Sequence, residues 1–308
     1  MSLNADITEV EHHSEQIVQC GDLAIATDSF GNQNNPPVVL IMGLATQMIH
    51  WHVELCKLLA AQGFWVIRFD NRDMGKSSKL TGQAPPSIWQ QMQYRYFKKP
   101  LVVPYTLDDM AHDVLGLLDA LNIDKTHVVG ASMGGMIGQL LAIHHPSRVS
   151  SLTCIMSTNG NKKLMNPKLG TLLKILKSPP KTREQHIEQA LSMWQVLHGS
   201  HFAFPSEHFR STIEHAHERG FSASGVLRQM AAITVAPSRS KQLRQLTLPV
   251  GIIHGEADSL LKVKNAYALK DDLPHAHLAT FPGMGHTLPN ELWTSMIEHI
   301  MKPIAEAL

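Results

Sequence analysis

The sequence is poor in the features that mark a secreted, fibrous or membrane-spanning chain. Cysteine occurs only three times in 308 residues, at Cys20, Cys56 and Cys154. The number is odd, the spacing wide and no Cys-x-x-Cys pair is present, which argues against a disulfide framework or a cysteine-built zinc site. Glycine (20) and proline (17) are too few and too scattered for a collagenous or linker-like protein. No charge of one sign dominates: 27 Lys+Arg stand against 26 Asp+Glu, a net +1. No global field therefore draws the chain to nucleic acid or to an anionic membrane. The apolar stretch Val38–Ala45 is far short of the roughly 18 residues that a membrane helix needs. Residues 1–20 carry acids and paired histidines where a signal peptide would need an apolar region. These absences lead to the expectation of a soluble, cytoplasmic protein with neither a nucleic-acid nor a membrane partner.

What remains is an ordinary globular balance, 44% hydrophobic and 17% charged, long enough for about two domains. Strand and helix patterns alternate through the first half. Val38–Met42 is a continuous apolar run, as a strand buried on both faces of a parallel sheet requires. A helical stretch follows over 52–61, and 64–69 reads as the next strand. Thr106-Leu107-Asp108-Asp109 has the form of a helix start, and Met110, Val114, Leu117, Leu118 and Leu121 behind it form one apolar stripe. His127–Val129 is a short strand, then a helix runs to about His145, then 149–156 is a strand. This βαβα order predicts an α/β fold with a mostly parallel sheet and flanking helices.

Strand signals stop after Thr158. Helical spacing takes over through 159–246, with Leu172, Ile175 and Leu176, then Met193, Val196 and Leu197, at i, i+3, i+4. Strands resume at 250–253 and 277–281, with a helix over 263–269 between them. A last helix carries Trp293, Met296, Ile297 and Ile300 on one face. The expected organisation is a core of 1–158 and 247–308 into which a helical segment, 159–246, is inserted; 88 residues exceed an ordinary loop.

Gly130-Ala131-Ser132-Met133-Gly134 lies between a strand and a helix, the context of a nucleophile elbow. A serine on so sharp a turn is strained, and only the small Gly130 and Gly134 two places either side avoid a clash. The bare pattern has roughly 0.1 matches expected by chance, so the strand-to-helix context is what gives it weight. A serine hydroxyl also needs a base, and the base an orienting group. Both follow in chain order. Asp258 sits in the loop after the 250–253 strand, with Glu256 as its rival, and Asp258 is preferred because it lies further out. His286 sits in the glycine loop after the last strand. His275 and His277, before or within that strand, read as structural. Loops at the carboxyl ends of parallel strands converge. The oxyanion donors expected are the N–H groups of Met133, after the nucleophile, and Leu44, after Gly43.

Two further patterns carry no function on this reading. Gly75-Lys76-Ser77 resembles the end of a phosphate-binding loop, but Asp70 occupies the position where that loop needs glycine. The pairs His50/His52 and His215/His217 lack metal-ligand spacing and are expected on a polar surface. No metal and no cofactor is expected.

With Ser132, Asp258 and His286 in order, the chain resembles the α/β-hydrolase superfamily over nearly its whole length. Asp70-Asn71-Arg72-Asp73-Met74-Gly75-Lys76-Ser77 is similar to that superfamily's Asp-x-Arg-Gly-x-Gly-x-Ser segment, with Asp73 in place of the usual glycine. Met42-Gly43 stands where many relatives have His-Gly. Together with Trp51 these residues are most similar to the branch that includes aclacinomycin methylesterase. The resemblance implies that 159–246 caps the active site. Leu172, Met193, Trp194, Phe202, Phe204 and Met230 are then candidates for an apolar pocket wall. It implies a serine carboxylesterase acting on a small-molecule, uncharged ester with an apolar part. The same triad would also serve a proline iminopeptidase-like peptidase, a C–C bond hydrolase or a cofactor-free perhydrolase, and the same fold a non-catalytic receptor.

Overall fold

The computed structural model describes residues 7–175, 180 and 182–308. Eight strands form one sheet: β1 His12–Cys20, β2 Leu23–Phe30, β3 Pro37–Ile41, β4 Trp65–Phe69, β5 Thr126–Ala131, β6 Val149–Ile155, β7 Val250–Gly255 and β8 His277–Phe281. Their spatial order is β1-β2-β4-β3-β5-β6-β7-β8. The pairs β1/β2 and β2/β4 are antiparallel and the remaining pairs parallel. The apolar runs read from the sequence thus become the parallel centre, with Val39 level with Ile67 on one side and Val128 on the other. The antiparallel hairpin β1–β2 has no such run, since β1 alternates between exposed and half-buried residues. Its one local signal is Gly21-Asp22 between the strands, with Gly21 at φ +59° as a tight hairpin turn requires.

Helices cover both faces. α1 Val53–Ala60, α2 Ile88–Phe97, α3 Leu107–Ala120 and α4 Met133–His144 precede β6. Among the described residues, five helices lie between β6 and β7: α5 Leu169–Ile175, α6 Arg183–His198, α7 Ser206–Gly220, α8 Ala223–Val235 and α9 Ser240–Leu243. α10 Lys264–Asp272 and α11 Trp293–Ala307 complete the chain. α3 starts where its capping residues put it: the Asp109 N–H donates to Thr106 Oγ1 at 3.3 Å and the Thr106 N–H to Asp109 Oδ2 at 2.7 Å. Its Met110, Val114, Leu117 and Leu118 are buried against the sheet beside Met136, Ile137 and Leu141 of α4. Each such side chain contributes about 2 kcal/mol of transfer free energy before ordering costs. The opposite face is closed by Leu55, Cys56 and Leu59 of α1 and by Met296, Ile297 and Ile300 of α11.

The helices after β6 are tied to the sheet layer by buried charge. Arg228 of α8 grips Asp73 with two bonds of 2.7 and 2.8 Å, and Tyr105 Oη donates to the same carboxylate at 2.8 Å. Asp73 is therefore the reason a non-glycine residue tolerates φ +70° there: its side chain anchors a neighbouring layer. Burial alone would raise this carboxyl, and the Arg228 bonds hold it below the usual range. Arg219 of α7 likewise pairs with Asp70 and Glu15. The loop that looked like a phosphate cradle wraps this same Asp70: the Lys76 N–H donates to Asp70 Oδ2 at 3.0 Å and Ser77 Oγ to Asp70 O at 2.6 Å. α2, which carries no strong sequence signal, packs on α8 through Gln91, whose Nε2 donates to Leu227 O at 3.2 Å.

Among the described residues, no helix is long and apolar enough to cross a membrane. The apolar position Leu176 lies outside the described residues.

Candidate active site

Ser132 joins β5 to α4 at φ 54°, ψ −115°, a conformation that costs a non-glycine residue energy. Its backbone is fixed on both sides: the N–H donates to Ile155 O at 2.8 Å, and the carbonyl accepts from Gly135 N (3.1 Å) and Ser157 Oγ (2.8 Å). The flanking glycines are steric necessities. A Cβ on Gly134 would lie 2.0 Å from Ile41 O, and one on Gly130 would lie 2.3 Å from Gly134 O. The turn therefore forms only with glycine at both places, and it pushes the Ser132 side chain away from the sheet.

Asp258 and His286 meet as their chain order anticipated. His286 Nδ1 lies 2.6 Å from Asp258 Oδ2, and both side chains are buried. The two loops are laced together by Glu256 N to Phe281 O (3.1 Å) and Ala257 N to Met284 O (3.0 Å). α6 closes on the histidine loop from the far side, with His286 N donating to Leu197 O at 2.6 Å. Glu256 is exposed and accepts from Thr280 Oγ1 at 2.8 Å, away from His286. His277 pairs with Glu306 and His275 with Leu248 O, both outside the site.

Asp258 has a complete set of donors. Oδ1 accepts from the N–H groups of Leu260 and Leu261, both at 2.8 Å. Oδ2 faces His286 and, at 3.4 Å, Nε2 of the fully buried His254, which also donates to Leu261 O at 2.6 Å. Burial would raise this carboxyl, but the two imidazoles hold it well below the usual carboxylate range. His254 is a site residue that sequence reading missed; its signal was its place on β7 four residues before Asp258.

Ser132 and His286 line one cavity of about 1170 Å³, with no hydrogen bond between them in this conformation. Gly43 lies beside the serine, since a Cβ there would come 3.2 Å from Ser132 Cβ. Leu44 also lines the cavity, and Met133 begins α4. Neither the Leu44 nor the Met133 N–H donates to a protein acceptor among the described residues. Gly43 and the N-terminus of α4 thus adjoin Ser132, and a helix N-terminus favours negative charge.

The wall is apolar, with Met193, Trp194, Phe209, Ile213, Met230 and Trp293 among its residues. Of the anticipated wall, Met193, Trp194 and Met230 are in place. Leu172 is exposed, Phe202 packs against the α1–α11 layer and Phe204 stacks on Phe209. The histidine pairs depart from expectation. His215 is exposed, but His50, His52 and His217 line the cavity, together with His186, His198 and His208. The short turn Met48–His50 packs on α7, and this brings them inward where spacing alone gave a surface. Burial pushes the His50 imidazole down to about 4 and lowers His186, His198 and His208, so these rings are neutral hydrogen-bonding groups at neutral pH. Among the described lining residues no carboxylate occurs and Lys174 is the one ammonium. No group of three or more His, Cys, Asp or Glu that could hold a metal ion occurs among the described residues.

The family model for the alpha/beta hydrolase fold matches residues 36–289. The rhodomycin D methylesterase DauP of a Streptomyces species is 28% identical over 289 residues, covering 87% of this chain and 90% of that protein. A 3-oxoadipate enol-lactonase of Acinetobacter baylyi is 25% identical, covering 86% and 88%. Among solved structures, a 2-hydroxy-6-oxo-6-phenylhexa-2,4-dienoate hydrolase from a Rhodococcus species superposes with a TM-score of 0.74 at 21% identity, over 96% of this chain and 99% of that one. The sheet order, the strained strand-to-helix turn and the match over most of the sequence have one meaning: the chain belongs to the α/β-hydrolase fold family.

Proposed function

We propose that the chain is a serine hydrolase that cleaves a carboxylic ester through an acyl-enzyme. The observation that carries this reading is the buried His286–Asp258 bond of 2.6 Å beside a cavity that Ser132 also lines. Asp258 holds the His286 Nδ1–H, which leaves Nε2 as the base. Ser132 Oγ attacks the ester carbonyl carbon while Nε2 takes its proton. The oxyanion accepts from the Leu44 and Met133 N–H groups. His286 then gives the proton to the leaving alkoxide, the C–O bond breaks and an acyl-Ser132 remains. Water attacks that ester with His286 again as base, His286 returns the proton to Ser132 Oγ as the bond to it breaks, and the acid leaves. The gap between Ser132 and His286 closes when substrate fills the cavity, since such bonds tighten in the reacting complex.

Residues 159–246 act as a cap in this reading, with α2 as part of the same cover. An apolar wall without carboxylates supports an uncharged ester with an apolar part. The names of the methylesterase and enol-lactonase relatives, both ester-cleaving enzymes, point the same way. The test is twofold. A fluorophosphonate probe is expected to label Ser132, located by peptide mass mapping. Nitrophenyl esters of short and medium chain length are expected to turn over faster than amides, vinylogous diketones or peroxide-forming substrates. A chain that takes no label and cleaves no ester would be a binding protein on this fold.

His254 supplies a further test. His254→Leu removes a donor from Asp258 and is expected to lower kcat/KM about tenfold, the effect of a hydrogen bond to a buried charge. His254→Gln, which keeps a donor, is expected to recover part of the loss. Equal loss in both variants, with unchanged circular dichroism, would show that His254 does not hold the carboxylate.

A further inference from the structure

The net charge of +1 conceals a local imbalance. Residues 84–106 and 159–175 contain seven Lys and Arg and not one Asp or Glu. The structure brings these stretches together. Arg95 of α2 donates to Lys162 O (3.0 Å) and Met165 O (2.9 Å), and Lys162 Nζ lies 4.8 Å from the centre of the Tyr94 ring. Lys262 and Lys264 adjoin the same edge, where Asn265 Nδ2 reaches Leu164 O at 3.3 Å.

The same two stretches concentrate exposed apolar side chains. Eleven large hydrophobic side chains are exposed among the described residues, and seven of them lie here, from 37% to 89% accessible. They are Trp89, Tyr96, Phe97 and Val102 on one stretch, and Leu169, Leu172 and Leu173 on the other. The exposed Lys98, Lys99, Lys163 and Lys168 are interleaved with them. Scattered exposed leucines need no explanation, but a cluster of this kind marks an interaction surface. Trp89 is exposed and also lines the cavity, and Lys174 and Ile175 at the end of α5 line it too, so both stretches adjoin the cavity.

We propose that this face docks on an anionic lipid–water interface. Aromatic and leucine side chains with lysines at their edge match the chemistry of that boundary: the rings and alkyl groups enter the acyl region and the ammonium groups remain at the anionic headgroups. The absence of acids from both stretches lowers the repulsion that would oppose the approach. Docking turns the mouth beside Trp89 toward the lipid, so that an apolar ester dissolved there enters without crossing water. The surface stands independently of which bond the enzyme cleaves.

The test is flotation of the full chain with vesicles. Binding is expected to phosphatidylcholine vesicles containing about 30 mol% phosphatidylglycerol, with none to phosphatidylcholine alone, and about 0.5 M salt should weaken it. Lys98→Glu/Lys99→Glu/Lys163→Glu/Lys168→Glu is expected to lower the partition coefficient at least about tenfold. Phe97→Ser/Leu173→Ser should lower it comparably, while both variants hydrolyse a soluble nitrophenyl ester as the parent does. Absence of flotation at low salt, or flotation that survives both variants, would overturn the proposal. So would light scattering that shows a dimer which these substitutions convert to monomer, since the occupant would then be a second copy of the chain.

Discussion

Ser132→Ala is expected to lower kcat toward a nitrophenyl ester by about 10⁴-fold or more while leaving the melting temperature nearly unchanged. The two halves of this expectation have separate causes. The bonds that hold the elbow run through the Ser132 backbone, to Ile155 O, Gly135 N and Ser157 Oγ, and alanine keeps them all. The hydroxyl is not bonded to His286 in the resting conformation, so its removal leaves no buried group unpaired. What is lost is the attacking atom. Residual hydrolysis would come from the Leu44 and Met133 donors acting on bound ester with water as nucleophile. Rates of parent and variant, measured on protein of matched melting temperature, decide the matter: a loss below tenfold would remove Ser132 from the reaction.

Asp258→Asn is the second large effect, with kcat expected to fall about 10⁴-fold. Asparagine fits the space and its oxygen can keep accepting from Leu260 and Leu261. Its amide then faces His286 and donates to Nδ1, which fixes the proton on Nε2. A protonated Nε2 cannot take the serine proton. The stability comparison has its own pH dependence. The Asp258 carboxyl lies below its unfolded value in the folded chain, so its ionised form contributes stability at all pH above the ordinary carboxylate range, about 3.9. That contribution fades only as pH falls below that value and through the lower folded one. The difference in melting temperature between parent and Asp258→Asn should therefore not narrow from neutral pH to about pH 5, and should narrow only in stronger acid. A difference that narrows already between pH 7 and pH 5 would mean that the carboxyl is not held ionised.

Much of this site was legible before any coordinates because its determinants are local or ordinal. Gly130 and Gly134 announce a turn that only glycine permits, and the order Ser132, Asp258, His286 is a property of the chain. The strands of the parallel centre were equally plain, since a strand buried on both faces must be apolar throughout, as Val38–Ile41 is. β1 was not plain, because an edge strand with a wet face carries no such run. α2 was silent for a related reason: it is held by Gln91 and by its contact with α8 rather than by a strong apolar stripe.

The sequence by itself pointed to the α/β class and the family and marked Ser132, Asp258 and His286 as candidates, all from patterns that span a few neighbours or simple chain order. Tertiary structure alone decided that His254 shares the Asp258 carboxylate with His286 and that six further histidines turn inward. It also decided that two acid-free stretches, 84–106 and 159–175, lie side by side as a basic, apolar surface. The physical reason is that burial, hydrogen-bond partnership and local field depend on which distant segments pack together, and a linear pattern records only what each segment could do.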